Sequence, residues 1–173
     1  MKILILNGSP HADGNTAALV KAFRRGAEES GNEVTELPIG RMNIGGCLGC
    51  EYCHIRGSGQ CARKDDMEKV YPEFNDTDMI VLASPIYYFT LSGQLQCTIH
   101  RTYAIGIPKR LKQSAMILTS GSDDVYGPAV QQYHMIFGDY MNLKDAGIIT
   151  AHGAENKSEA KIHEAYALGL SIQ

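Results

Sequence analysis

Along the chain, short apolar runs alternate with stretches whose apolar residues recur at helical spacing. Residues 2–7, "KILILN", form a continuous apolar run that stops at a Gly-Ser-Pro turn, the pattern of a strand buried on both faces. Over 15–30, Leu19, Ala22, Phe23 and Gly26 fall on one helical face, with Gly31 as the stop. The run 33–39, "EVTELPI", alternates apolar and polar positions and predicts a strand nearer a sheet edge. "DMIVLASP" (78–85) and "SAMILTSG" (114–121) predict two more central strands, and "DAGIITAHG" (145–153) predicts a fifth. Helical patterns cover 91–103, 128–142 and 156–169. Met67, Val70, Tyr71 and Phe74 mark another helical face, which Pro72 is expected to shorten or kink.

Strands alternating with helices predict the α/β class: a doubly wound, five-stranded parallel sheet with helices on both faces. The length of 173 residues suggests a single domain, 1–173, with a cysteine-rich insertion at about 40–64. In such a sheet ligands bind beyond the carboxyl ends of the strands, where strand order reverses. The loops after the first, third and fourth strands lie at that end.

Composition narrows the partners. Hydrophobic residues make up 44% and charged residues 20%, with a net charge of -3, so nothing argues for nucleic acid or an anionic membrane. No apolar run is long enough to span a bilayer, and the first strand is too short for a signal-peptide core. A cytoplasmic home follows as the expectation. Thiols there stay reduced, which favours metal-binding or redox roles for clustered cysteines over structural disulfides.

The first loop, "NGSPHADGNT" (7–16), follows a buried strand and opens a helix. Its backbone N–H groups and the helix dipole can face an anion. Ser9, Asn15 and Thr16 add side-chain donors, and Gly14 permits close approach to a phosphate. Neither the Rossmann fingerprint nor the P-loop applies. A plain turn capped by Asn15 or Thr16 is the simpler alternative. The second loop, "ASPIYYFTLSGQLQ" (83–96), joins the rigid Pro85 to Tyr87, Tyr88 and Phe89, with Thr90 or Ser92 as helix cap. Aromatics beside a phosphate site suit a ligand with a flat ring system, although at least one ring is expected in the core. The third loop, "TSGSDDVYG" (119–127), is small and polar enough to meet a heterocycle's edge.

Four of the five cysteines, Cys47, Cys50, Cys53 and Cys61, stand at C-x2-C-x2-C-x7-C in "CLGCEYCHIRGSGQC". The repeated short step is closer to the ligand run of bacterial [4Fe–4S] sites than to paired zinc knuckles. Zinc, free thiols and a disulfide formed on handling remain the alternatives. Cys97 lies in a helical pattern apart from the others and is expected to be a free thiol. His54, His100 and His134 carry no specific signal, and no acid–base residue is assigned.

Taken together, "GSPHADGNT", "SPIYYFTLSGQLQ" and "LTSG" resemble the flavodoxin-like NAD(P)H-dependent FMN reductases over nearly the whole chain. With "CLGCEYCHIRGSGQCARKDDM" added, the resemblance is closest to the iron–sulfur flavoprotein branch. The resemblance implies strand order 2-1-3-4-5 with FMN at the switch point. Ser9, Gly14, Asn15 and Thr16 would hold the FMN phosphate, with His11 where the family often carries Arg. Pro85, Ile86, Tyr87 and Tyr88 would line the isoalloxazine, and Ser120 and Gly121 would meet its polar edge. Gln96 and His100-Arg101 depart from the family's usual Lys and Asp-Arg. The expected activity is that of an FMN-dependent oxidoreductase moving electrons from NAD(P)H or a ferredoxin-like donor to a small-molecule or protein acceptor. A [4Fe–4S] cluster is expected at the four cysteines and a homodimer or homotetramer as the assembly. The rivals are an FMN/Fe–S electron carrier serving a ferredoxin-like partner, and a non-catalytic redox or metal sensor.

Overall fold

The computed structural model describes residues 1–173. Five parallel strands, β1 (Lys2–Asn7), β2 (Glu33–Leu37), β3 (Met79–Tyr87), β5 (Gln113–Ser120) and β6 (Lys144–His152), run in the order β2-β1-β3-β5-β6. This is the expected doubly wound order. One element departs from it: a two-residue strand, β4 (Thr90–Leu91), turns back antiparallel on the end of β3. The sequence predicts loop here running into a helical pattern from 91, because a two-residue strand is too short to show alternation.

The alternation of side chains splits the core between the two faces of the sheet. Leu4, Leu6, Ile80, Leu82, Met116 and Leu118 pack in one cluster with residues of α3 (Met67–Asn75), α4 (Gly93–Arg101) and α5 (Gly127–Tyr133). Ile3, Ile5, Met79, Val81, Ala115 and Ile117 pack in the other with α1 (Asn15–Glu29) and α6 (Glu159–Leu170). Helix α3 continues through Pro72, which sits within its span. The helical pattern over 128–142 divides into α5 and a wider π turn over His134–Tyr140. One further short helix, α2 (Tyr52–Ile55), lies inside the cysteine segment, where no helix had been expected.

Helices α1 and α6 cross at two glycines. A Cβ on Gly26 would overlap the carbonyl oxygen of Tyr166, and one on Gly169 would overlap that of Phe23. Backbone meets backbone here, so no flexible side chain can move aside. Gly169→Ala is expected to cost about 1–3 kcal/mol through overpacking, read as a lower urea midpoint with unchanged slope.

Candidate functional site

The loops at the carboxyl ends of the strands form one cleft of about 310 Å³. Ser9, His11, Gly14, Asn15, Thr16, Pro85, Ile86, Tyr87, Ser120 and Gly121 all line it. Of the ring and phosphate residues named from the sequence, Tyr88 alone does not: it is 96% exposed and stands outside the lining.

The first loop is held rigidly from below. Gly8 N–H donates to Ala83 O at 2.7 Å, extending the β1–β3 pairing into the loop. Asn7 Oδ1 accepts from Ser9 N–H at 3.0 Å, and Ser9 Oγ accepts from His11 N–H at 3.2 Å. Gly14 occupies the position before α1, and no side chain caps the helix. Asn15 and Thr16 are already its first helical residues, so the capping alternative fails. The N–H groups of the first turn therefore lack the side-chain acceptor that would normally serve them. An anion at the cleft floor would supply it. The Thr16 hydroxyl is occupied elsewhere, 2.7 Å from that of Thr119 in a buried pair. Its role is to tie the first loop to the third.

In the second loop, Ser92 caps α4 by accepting from Leu95 N–H at 3.4 Å, and its own N–H donates to Ser84 Oγ at 2.9 Å. Tyr88 and Phe89 form the two-residue turn between β3 and β4, with φ of 48° and 66°. Such turns favour Asn and Gly. Two aromatics in the left-handed region therefore strain the turn, and both rings project outward.

The third loop is anchored through Ser120. Its hydroxyl lies 2.7 Å from Tyr126 Oη, which in turn donates to Ala151 O at 2.8 Å. Burial pushes the Tyr126 phenol above its ordinary range, which keeps it a neutral donor. Thr119, which opens the third loop, and Gly153 and Asn156, which lie outside the three loops singled out from the sequence, complete the lining. Asn156 Nδ2 donates to Ser120 O at 2.8 Å and Gly153 O at 2.9 Å, while its buried Oδ1 has no partner. An unpartnered acceptor buried at the cleft wall fits a ligand N–H or O–H. Gly153 and Asn156 follow the carboxyl end of β6, so the topological rule applied to the last strand would have found them.

The cysteine segment is a second site. Cys47, Cys50, Cys53 and Cys61 all line one small cavity with Arg63, His100, Arg101 and Tyr103. All are free; Cys47 and Cys50 are exposed and Cys53 is buried, and burial pushes the Cys53 thiol up. No three His, Cys, Asp or Glu side chains stand close enough to hold a single ion. The enclosed space is about 20 Å³, so the segment must spread to admit a cluster, as expected where binding and folding are coupled. Gly49 and Gly59, with φ of 62° and 86°, leave the backbone free to do so. Cys97 does not line the cavity, but it is not remote: its Sγ lies 3.8 Å from where a Gly46 Cβ would sit. Helix α4 thus packs on the start of the cysteine segment.

A parallel sheet with an uncapped helix N-terminus, a rigid aromatic turn and a polar third loop at its switch point defines a flavodoxin-like protein. Residues 1–154 match the family of NADPH-dependent FMN reductases, and the chain belongs to that family of flavin oxidoreductases. An iron–sulfur flavoprotein of Methanocaldococcus jannaschii is 27% identical over 140 residues, 79% of this chain and 72% of that protein. One from Archaeoglobus fulgidus is 33% identical over 112 residues, 65% of this chain and 50% of that protein. The chain thus spans only about half the length of the latter. A putative NAD(P)H-dependent FMN-containing oxidoreductase of Bacillus subtilis is 24% identical, covering 95% of this chain and 92% of its own. Among solved structures, an NAD(P)H:quinone oxidoreductase from Methanothermobacter marburgensis superposes with a TM-score of 0.74 at 16% identity. It covers 98% of this chain and 94% of its own, a likeness of fold. No helix is long and apolar enough to cross a membrane.

Asn156 lines the cleft with an unpartnered acceptor, which makes its substitution a direct test of the cleft. Asn156→Ala removes the bond to Ser120 O in the third loop, the bond to Gly153 O and the free acceptor. It is expected to weaken FMN binding about tenfold, ~1.4 kcal/mol, in a flavin-fluorescence titration. An unchanged Kd would remove Asn156 from the site.

Proposed function

We propose that this chain is a single FMN-binding domain that transfers electrons from NAD(P)H to an acceptor, with an iron–sulfur cluster in its cysteine insertion as a second redox centre. The observation that carries the reading is the convergence of the carboxyl-end loops on one cleft above the uncapped start of α1. FMN, when bound, supplies the hydride and single-electron chemistry. The chain's own part is to bind, orient and shield. Ser9, His11, Gly14, Asn15 and Thr16 receive the phosphate, chiefly through backbone N–H groups and the helix dipole. Pro85, Ile86 and Tyr87 form a flat, rigid wall for the ring. Ser120, Gly121 and Asn156 meet its polar edge. Tyr88 and Phe89, exposed at 96% and 53%, suit a contact with a second copy of the chain, and a homodimer or homotetramer would cover the ring's open side. The cytoplasm suits the reading, since it keeps the cysteines reduced for cluster assembly.

For the cysteine centre the fit rests on donors. Four thiol side chains line one cavity without single-ion geometry. Four thiolates are the donor set that a [4Fe–4S] cluster would take, and one held here would supply one-electron chemistry. Cys47, Cys50, Cys53 and Cys61 are its proposed ligands. A second reading, an electron carrier served by a ferredoxin-like protein, is favoured by the exposure of Cys47 and Cys50, which leaves that centre open to a partner.

The first of two experiments separates these, and the second tests the cysteine centre that both share. Mixing the FMN-loaded protein with NADPH without oxygen is expected to bleach the flavin absorbance. Bleaching only after a reduced ferredoxin is added would support the carrier instead, and failure to bind FMN at all would sink both. Under anaerobic purification, about four irons per chain are expected. Cys50→Ala is expected to lose that iron while retaining FMN, because the phosphate loop is built from separate residues. Undiminished iron in that variant would refute the ligand assignment.

A further inference from the structure

The cysteine segment is tied shut at its base by a buried ion pair. Arg101 Nη1 donates to Asp65 Oδ2 at 2.8 Å and to Gly45 O at 2.9 Å, and Nη2 donates to Asp65 Oδ1 at 3.2 Å. Asp65 Oδ2 also accepts from Gly45 N–H at 3.1 Å. Gly45 precedes the first cysteine and Asp65 follows the last, so the pair closes the neck of the loop that carries all four. Next to it, Asn43 and Asp66 exchange two further bonds: Asn43 N–H to Asp66 Oδ2 at 2.8 Å, and Asp66 N–H to Asn43 O at 3.1 Å.

Arg101 is only 1% exposed and lines the cysteine cavity. Its Nε is buried without a hydrogen-bond partner. A planar guanidinium held by both terminal nitrogens cannot turn its Nε–H elsewhere, and an unmade bond to a buried charged donor is costly. The other charged groups lining the cavity are Arg63, which is partly exposed and lies 3.5 Å from Asp65, and Glu51. Arg101 is therefore the one fully buried cation facing the thiols.

We propose that Arg101 serves the cysteine centre as a positioning residue at the neck of the loop and as a hydrogen-bond donor, through Nε, to the anionic group that the four thiolates hold. The proposal rests on the cluster reading above. Four thiolates bring more negative charge than a cubane core returns, and each added electron increases the excess. A buried cation donating a hydrogen bond to that group favours its reduced state and raises the potential. Asp65, which neutralises the cation, acts in the opposite sense.

The test uses full-length wild type, Arg101→Lys and Asp65→Asn, each reconstituted without oxygen with ferrous iron and sulfide. Iron and acid-labile sulfide are counted, and the cluster's potential is read from its paramagnetic signal in a dithionite titration, apart from the flavin. Arg101→Lys is expected to retain a cluster whose reduced state is about tenfold less favoured, a fall of ~59 mV for one electron. Asp65→Asn is expected to move the potential upward, since it leaves the cation unneutralised. A merely structural neck would loosen in both variants and shift both the same way, or neither, and either result overturns the proposal. Should Arg101→Lys fail to fold, Asp65→Asn decides alone: a rise supports the proposal, and a fall or no change overturns it. Wild type that forms no iron–sulfide centre would refute the cluster reading itself, an outcome distinct from a cluster indifferent to Arg101.

Discussion

The structure depends on the pairing of β1 between β2 and β3. Ile3 to Asn7 pair in parallel with Met79 to Ala83 on one side, and Lys2 to Leu6 with Glu33 to Leu37 on the other. The connection from β1 leads to one neighbour and that from β2 crosses to the other, so the loops leaving β1 and β3 diverge and a crevice opens between them. Gly8 is what lets the crevice form so close to the sheet. A Cβ there would press on Ser92 Oγ at 2.6 Å and Leu95 Cβ at 2.9 Å. The first loop thus lies directly on the start of α4, and the same helix carries Arg101 at its other end. One element spans from the floor of the cleft to the cysteine segment.

The two sites are built to different standards of rigidity. Around the cleft, Ser9, Ser84, Ser92, Thr16 and Thr119 are all buried and their hydroxyls are spent on backbone or on each other. Each polar group fixes one loop against the next, so a ligand meets a preformed surface. The cysteine segment runs from Met42 to Asp66 with α2 as its only regular element. It holds left-handed residues at Glu51 and Ser58, and its cavity is nearly closed. Long irregular segments of this kind inside a compact domain ordinarily serve a bound group or partner.

How much was legible in the residues follows from the length scale of each signal. Buried strands such as "KILILN" and the amphipathic α1 span enough positions to declare their period, and their bounds agreed within a residue. The order of the sheet and the gathering of Ser9, Gly14, Pro85 and Ser120 into one cleft followed from topology and resemblance. Three features did not show. The β4 turn depends on Tyr88 and Phe89 adopting a conformation that their side chains disfavour. Asn156 reaches the third loop through the carbonyl of Ser120, 36 residues away in sequence. Arg101 agrees with the family's Asp-Arg pattern, in which only His100 departs, and its partner Asp65 lies 36 residues away, with no local spacing to announce the pair.

A buried ion pair is a poor device for stability alone. Removing two charges from water costs several kcal/mol per ion, and apolar replacements of similar volume are often neutral or better. Arg101 and Asp65 nevertheless sit at 1% and 7% side-chain exposure. What an apolar pair could not do is bind both polar groups of Gly45, which would otherwise be stranded at the base of the loop. Burial opposes ionisation of Asp65, but the Arg101 guanidinium and the N–H groups of Gly45 and Met67 hold its carboxyl below the usual range. The pair therefore persists at neutral pH and loses its hold only as acid protonates Asp65. Closing a long loop is a modest entropic matter, growing by only about 0.6 kcal/mol per doubling of length. The expense of burying charge is out of proportion to that task. It is in proportion to holding a cation, with one donor left over, against a cavity lined by four thiols.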